Sequence, residues 1–372
     1  MKATSASHVL AIATAVPPHV CTQEQSIRIA EQVFGDQPDA RIFVERLIRG
    51  SGIEKRHTVL ADYGRPPSER TFFAATPDFR PEPSTQARNE VFNREAPGLA
   101  LRCCEALPAS DWPSRVTHLI TASCTGFRAP GFDVVLARRL TLSPRIHRTH
   151  VGFMGCYAGF TTLKLADTIC RADPFALVLI VHVELCSLHV HFRADPNALI
   201  ANSLFADGAA AALVGGDRHG PLGLGQPPLA MLGSGAFLLP NGEEDMTWTL
   251  GDQGFDMALS PRVPHLLHKH LAPAFAALLD AVHGSRQDVH HWAIHPGGPA
   301  ILEQAKKALG IDESAVAMAR DVLAQYGNMS SATIWFLLDR IRRAPQAGLV
   351  YACGFGPGLT LESAVLSHPG VP

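Results

Sequence analysis

Three residues far apart in the chain carry chemistry that fits together: a thiol at Cys156, an imidazole at His295 and a carboxamide at Asn328. Cys156 stands between Gly155 and Gly159, where a predicted strand gives way to a helix. Free N–H groups at a helix start favour a thiolate and lower the thiol pKa, and flanking glycines let a substrate approach. An inert buried thiol is the plain alternative at that place. His295 ends an apolar run and is followed by Pro296, Gly297 and Gly298, so it faces either a cleft or, like many of the 18 histidines, solvent. Asn328 precedes a helix whose apolar residues Ile334, Leu337, Leu338 and Ile341 have helical spacing. It is either an N-cap or an amide donor aimed at an oxyanion. A Cys–His pair makes a nucleophile, and His with Asn makes two donors for an enolate or oxyanion. The set suits acyl transfer through a thioester followed by carbon–carbon bond formation. By residue type alone it also matches a cysteine hydrolase.

The elements that must position these groups alternate. Strands are predicted at 9–14, 118–122, 147–153, 177–183, 209–214, 290–294, 348–353 and 359–366. Helices are predicted from 22 and at 99–107, 132–140, 157–170, 196–204, 263–282, 300–309, 315–326 and 332–343. Thr22 with Gln25 gives a capping-box signal for the first helix. The Pro-, Arg- and Ser-rich stretch 57–97 reads as a long surface excursion. Strands alternating with helices argue for a layered α/β fold. The rhythm repeats in the second half, which points to two duplicated halves, 1–225 with the Cys and 226–372 with the His and Asn.

The whole-chain numbers narrow the function. With 372 residues there is room for about two domains or one duplicated unit. Hydrophobic residues make up 47% and charged residues 18%, which excludes extensive disorder. Lys plus Arg number 32 against 34 Asp plus Glu, so no basic field for nucleic acid exists. No apolar run is long enough for a membrane-spanning helix. Residues 1–8 lack the pattern of a secretory leader. The eight cysteines form no CxxC pair, and the histidines near 265–270 and 290–291 have no completing ligands, so no metal site is expected. A reduced cytoplasmic chain is the simplest account.

Seven motifs, in order, then carry a resemblance. They are Ser51-Gly-Ile-Glu-Lys-Arg56, Cys124-Thr-Gly-Phe-Arg-Ala-Pro-Gly131, Gly155-Cys-Tyr-Ala-Gly159, Ser203-Leu-Phe-Ala-Asp-Gly-Ala-Ala-Ala211, Ile294-His-Pro-Gly-Gly-Pro-Ala-Ile301, Tyr326-Gly-Asn-Met-Ser-Ser-Ala-Thr333 and Gly354-Phe-Gly-Pro-Gly358. Together they resemble the type III polyketide synthases, the chalcone synthase-like branch of the thiolase superfamily. The resemblance implies a five-layered αβαβα thiolase fold, a homodimer, no metal, no permanently bound cofactor, and acyl-CoA and malonyl-CoA as substrates. It implies that Cys156 carries the acyl chain and that His295 and Asn328 promote malonyl decarboxylation and hold the enolate. Phe205 matches a gatekeeper aromatic, and Gly354, Phe355, Gly356, Pro357 and Gly358 match the loop shaping the cavity. Arg46, Arg49, Lys55 and Arg56 lie in the helix and loop where the family holds CoA, only Arg46 falling on a family basic position and the others near it, and a solvated helix face explains them equally well.

Departures from the plant pattern bear on the substrate. Met257 stands at a second gatekeeper position and Ala129 where a bulky Met is usual. Thr125, Ala129 and Cys186 together resemble bacterial alkylpyrone and alkylresorcinol synthases, which take long fatty acyl starters. Smaller side chains there would open an apolar tunnel, worth about 0.8 kcal/mol per buried CH₂. Trp248 occupies a cavity-lining position and should limit extension. Three alternatives remain at this point: a β-ketoacyl carrier-protein synthase III performing one condensation, a type III synthase with a short or aromatic starter, and a silent thiolase-fold partner.

Overall fold

The computed structural model describes residues 7–108, 111–220, 222 and 227–371. The leader reading at the extreme N-terminus and the boundary between halves at 225/226 involve residues outside these.

The first half runs β1 (Ser7–Ala15), β2 (His19–Thr22), α1 (Gln23–Val33), α2 (Pro38–Gly50), β3 (Lys55–Thr58), α3 (Thr85–Glu105), α4 (Trp112–Arg115), β4 (His118–Ser123), α5 (Phe132–Arg139), β5 (His147–Gly152), α6 (Ala158–Ala172), β6 (Leu177–Leu185), α7 (Pro196–Leu204) and β7 (Asp207–Gly216). The second runs β8 (Leu229–Leu238), β9 (Met246–Gly251), β10 (Gly254–Leu259), α8 (Val263–Ala281), β11 (Val289–Ile294), α9 (Pro299–Leu309), α10 (Glu313–Tyr326), α11 (Thr333–Arg342), β12 (Gly348–Gly356) and β13 (Thr360–His368).

The main sheet has nine strands in the order β11-β12-β13-β8-β1-β7-β6-β4-β5. The two halves of that order correspond. In the first, β4 and β6 are parallel while β6, β7 and β1 are antiparallel in turn. In the second, β11 and β12 are parallel while β12, β13 and β8 are antiparallel in turn. A short pairing of β1 with β8 joins them. The duplication expected from rhythm is therefore a duplication of strand order.

Helices α6 and α11 pack against strands of both halves and form the middle layer. This is why α11 is buried nearly all round, from Thr333 and Ile334 to Ile341 and Arg342. The Arg342 guanidinium survives there by donating to the Leu10 carbonyl at 2.6 Å. Strand β6 is buried along its whole length, as a strand covered on both faces must be. Helix α3 covers the outer face of the first half and α8 that of the second.

Several expectations need correction. The helix placed at 99–107 starts at Thr85, capped by the Ser84 hydroxyl, which accepts from the Ala87 amide at 3.2 Å. Its first turns look polar because Arg88 is one of them. Arg88 is fully buried, pairs with Glu82 at 3.1 Å and donates to the Val190 carbonyl at 3.0 Å. The stretch read as a surface excursion is also anchored. Buried Asp62 accepts from the Phe72 and Phe73 amides at 2.8 Å, and Phe73 and Phe79 are buried. Strands β2, β3, β8, β9 and β10 were not anticipated. Glycines interrupt the alternation of β8, and the other four are short. The turn expected at 354–358 is mostly strand, since β12 runs through Gly356 before a 3₁₀ turn, Pro357–Leu359. The capping box at Thr22 and Gln25 forms as expected.

Candidate active site

Cys156 lies on a 3₁₀ turn, Gly155–Tyr157, that leads directly into α6. Gly155 has φ +76°, and a Cβ there would overlap the ring of Pro357. Its N–H donates to the Cys124 sulfur at 2.8 Å, tying the turn to the end of β4. A Cβ on Gly356 would lie 2.5 Å from the Tyr157 ring, so β12 passes directly behind the turn. Gly155→Ala is expected to lose about 2–4 kcal/mol, from left-handed strain plus overpacking. Urea unfolding measures the loss.

His295 follows β11, and its amide continues the ladder to the Cys353 carbonyl at 2.8 Å. Its side chain is 1% exposed, and neither ring nitrogen has a partner. A buried imidazole whose nitrogens bond no protein group is costly to keep, and both remain open toward a molecule in its surroundings. Asn328 is held by two backbone bonds, from the Ala206 amide to its carbonyl and from its own amide to the Leu204 carbonyl, both 2.9 Å. Its Oδ1 accepts from the Ser330 amide at 2.9 Å and its Nδ2 donates to the Gly297 carbonyl at 3.5 Å. The amide thus bridges its own turn and the His295 loop, and Oδ1 stands 4.0 Å from the Cys156 sulfur. The N-cap reading of Asn328 fails, because α11 starts only at Thr333.

All three side chains border one chamber of about 690 Å³. Burial pushes the Cys156 thiol up to about 11, against the lowering expected from the helix start. The turn is enclosed too deeply for the helix N–H groups to outweigh desolvation. Burial alone holds His295 down, at about 4. Each group on its own is therefore neutral near pH 7. His295, with neither ring nitrogen bonded to protein, borders the same chamber as the Cys156 sulfur.

Thr125, Cys186, Phe205, Trp248, Met257, Phe355 and Pro357 also border the chamber. Trp248 and Met257 face each other across the β9–β10 ladder, and the Trp248 indole donates to the Cys124 carbonyl at 2.7 Å. Other expected residues fall elsewhere. Ala129 is exposed on the loop after β4 and does not border the chamber. Gly354, Gly356 and Gly358 do not border it either; the first two allow close packing behind Cys156 and His295. Arg56 is turned inward. It donates to the Asn202 carbonyl, to the Phe205 carbonyl at 3.1 Å and to the Ser26 hydroxyl at 2.9 Å, so it is committed to structure rather than to a phosphate. Arg49 pairs with Glu45 on exposed α2 at 2.8 Å. Arg46 is exposed and Lys55 half-buried on β3.

A polar network beneath the chamber was missed. Glu184, fully buried on β6, accepts from the Cys124 amide at 2.9 Å, the Thr125 hydroxyl at 3.1 Å and the Ser331 hydroxyl. His182 reaches Ser331 at 2.9 Å from the other side. A carboxylate and an imidazole, Glu184 and His182, inside the otherwise apolar run 177–185 were the available signal. Burial raises the Glu184 carboxyl from 4.5 to about 7. Between those values the folded form keeps a proton that the unfolded chain has lost, so stability falls as pH rises through that window. Glu184→Gln should remove this contribution, flattening the difference in urea midpoint between pH 4.5 and pH 7.

Comparison with known proteins decides the family. Residues 1–218 match the N-terminal domain of the chalcone and stilbene synthases, and residues 232–369 match their C-terminal domain. The chain belongs to the chalcone and stilbene synthase family. Within it, an alpha-pyrone synthesis polyketide synthase-like protein of Mycobacterium tuberculosis is 32% identical over 368 residues, 96% of this chain and 90% of that one. The crystal structure of a polyketide synthase, PKS-I, from the brown alga Ectocarpus siliculosus superposes with a TM-score of 0.88 at 28% identity, covering 99% of both chains. The C-terminal type III polyketide synthase domain of Steely1, a type I/III hybrid from Dictyostelium, gives 0.88 at 29%, covering 98% of this chain and 99% of that one. The fold is therefore the thiolase fold of type III polyketide synthases, and the chain is an acyl-condensing transferase of that family. Among the described residues no cluster of His, Cys, Asp or Glu is arranged to hold a metal, all eight cysteines are free and buried, and no helix is long and apolar enough to cross a membrane.

Proposed function

We propose that this type III polyketide synthase loads a long-chain fatty acyl group from acyl-CoA onto Cys156. It then extends that group with malonyl-CoA and releases alkylpyrone or alkylresorcinol products. The observation that carries the reading is the meeting of Cys156, His295 and Asn328 on one enclosed, mainly hydrocarbon chamber. Cys156 sulfur attacks the acyl-CoA carbonyl, its proton passes to His295, and CoA leaves as the thiol. His295 and Asn328 polarise the malonyl thioester carbonyl. The malonyl carbon–carboxylate bond breaks, CO₂ leaves, and the electron pair stays as an enolate. The enolate carbon attacks the Cys156 thioester and sulfur departs. The lengthened chain, now on CoA, returns to Cys156 for another round.

CoA phosphates need cations outside the chamber, and Arg46, Arg49 and Lys55 are the ones retained for that role. Both substrates arrive on CoA, so no resident cofactor is called for. Exposed edge strand β5 leaves a sheet margin open for a second copy, which supports a homodimer. The units 1–225 and 226–372 follow the repeated strand order, and eight free buried cysteines suit the reducing cytoplasm.

Incubation with lauroyl- or palmitoyl-CoA and malonyl-CoA, followed by product mass, tests the reading. The expected products carry the starter plus two or more acetate-derived units. Hydrolysed starter alone overturns it. Products from short or aromatic starters only would keep the condensing activity and change the substrate.

A further inference from the structure

His182 lies inside β6 with both ring nitrogens against hydroxyls, Nδ1 to Ser331 at 2.9 Å and Nε2 to Thr162 at 2.8 Å. The ring is fully buried between Ala122 on β4 and Ala210 on β7, with the Trp335 ring 5.8 Å away. It does not border the chamber, and the reaction proposed above gives it no task. Beyond Ser331 stands Glu184, whose other oxygen takes the Cys124 amide at 2.9 Å and the Thr125 hydroxyl at 3.1 Å. Cys124 and Thr125 do border the chamber. A chain of polar groups, Thr162–His182–Ser331–Glu184, therefore runs from α6 to the wall beside Cys156.

Each hydroxyl in this chain has one proton to give, and a neutral imidazole has one N–H. Thr162 gives its proton to the Gly159 carbonyl at 3.0 Å, a group that can only accept. The Thr162 oxygen is then left to accept, which places the His182 proton on Nε2 and makes Nδ1 an acceptor. Nδ1 takes the Ser331 proton. The Ser331 oxygen now offers Glu184 a lone pair, and the group that matches a lone pair is a carboxyl that has kept its proton. The opposite direction, with an ionised Glu184 accepting from Ser331, needs the His182 proton on Nδ1 and the Thr162 hydroxyl turned off Gly159, at the loss of one bond. Burial acts in the same sense, raising Glu184 to about 7 and lowering His182 to about 3. The titratable groups facing Glu184 are the thiols of Cys124, Cys156 and Cys186. The one facing His182 is His150, bonded to Thr121 at 2.9 Å and itself lowered by burial.

We propose that His182 is a positioning residue that keeps Glu184 protonated, so that the wall beside Cys156 carries no negative charge when the sulfur or the enolate becomes an anion. An ionised Glu184 would push the Cys156 thiol up further than burial already does, and it would repel the enolate. The protonation of Glu184 follows from the bonds alone. Its value to the reaction rests on the roles of Cys156, His295 and Asn328 proposed above.

Infrared spectroscopy reads the proton directly. Glu184→Gln identifies the C=O stretch of the protonated Glu184 carboxyl by removing it. His182→Leu leaves the Ser331 proton no acceptor but Glu184, so the titration of that band should move down by about one pH unit, the worth of one hydrogen bond. Thr162→Val, nearly the same shape and outside the chamber, should move it the same way, because Nε2–H loses its acceptor; it decides the matter if His182→Leu does not fold. His182→Gln should leave the band in place, since an amide accepts from Ser331 through oxygen, donates to Thr162 through nitrogen and does not titrate. At pH 6.5, malonyl-CoA decarboxylation should fall about fivefold in His182→Leu and return to within about twofold of Glu184→Gln in the double variant, a rescue that a damaged fold would not show. An unshifted band in His182→Leu and Thr162→Val, or an equal shift in His182→Gln, overturns the proposal. A shifted band without rescue overturns the catalytic part and leaves the protonated Glu184 standing. Wild type that decarboxylates no malonyl-CoA overturns the condensing roles above, while the band still decides where the proton sits.

Discussion

Cys156→Ala abolishes condensed product with every starter, a loss on the order of 10⁴-fold or more, while the folded protein still binds acyl-CoA. The size follows from its role, because without the sulfur no thioester forms and the enolate has no electrophile to attack. Alanine fits the turn without strain, since the demanding backbone position belongs to Gly155 at φ +76°. Intact-protein mass after incubation with palmitoyl-CoA should show the acyl adduct on wild type and none on the variant. An adduct retained by Cys156→Ala would move the nucleophile to Cys124 or Cys186, the other thiols on the chamber.

Replacing His295 by alanine has the second largest effect, and it separates two jobs of one ring. Malonyl-CoA decarboxylation should fall about 10²–10³-fold, as when a donor to a developing oxyanion is removed. The second job is accepting the thiol proton. With burial holding the lone thiol at about 11, Cys156 in the variant has almost no thiolate at pH 7. Iodoacetamide should alkylate it at least tenfold more slowly than wild type at that pH. The gap should narrow as pH rises toward 10, where hydroxide takes over the deprotonation. Equal rates at pH 7 would mean that the helix start ionises the sulfur without the imidazole. Asn328→Ala should leave alkylation nearly unchanged and lower decarboxylation, because an amide polarises a carbonyl and accepts no proton.

These two results depend on groups that could be named from sequence, and on a distance relation that could not. Cys156, His295 and Asn328 each sit beside glycines at the junction of two predicted elements, features that are local and so visible in one dimension. The α/β alternation was visible for the same reason, as was the Thr22 cap. What failed depended on contacts between residues far apart in the chain. Helix α3 was shortened because Arg88 reads as a surface residue until Glu82 and the Val190 carbonyl are placed around it. Strand β8 was lost because its pattern breaks at glycines, although pairing with β13 holds it. Arg56 looked like one more cation in a basic rim, yet three acceptors from α1 and the end of α7 turn it inward.

By itself the sequence determined the reaction class, since side-chain types, their order and their flanking glycines are written in it directly. The tertiary structure decided the electrostatics and the room. A thiol placed at a helix start was expected to ionise, and the depth of burial, a property of everything packed around it, reversed that. Ala129 and Cys186 looked like neighbours along one tunnel, and the fold of one chain leaves Ala129 exposed on a loop while Cys186 stands on the chamber wall.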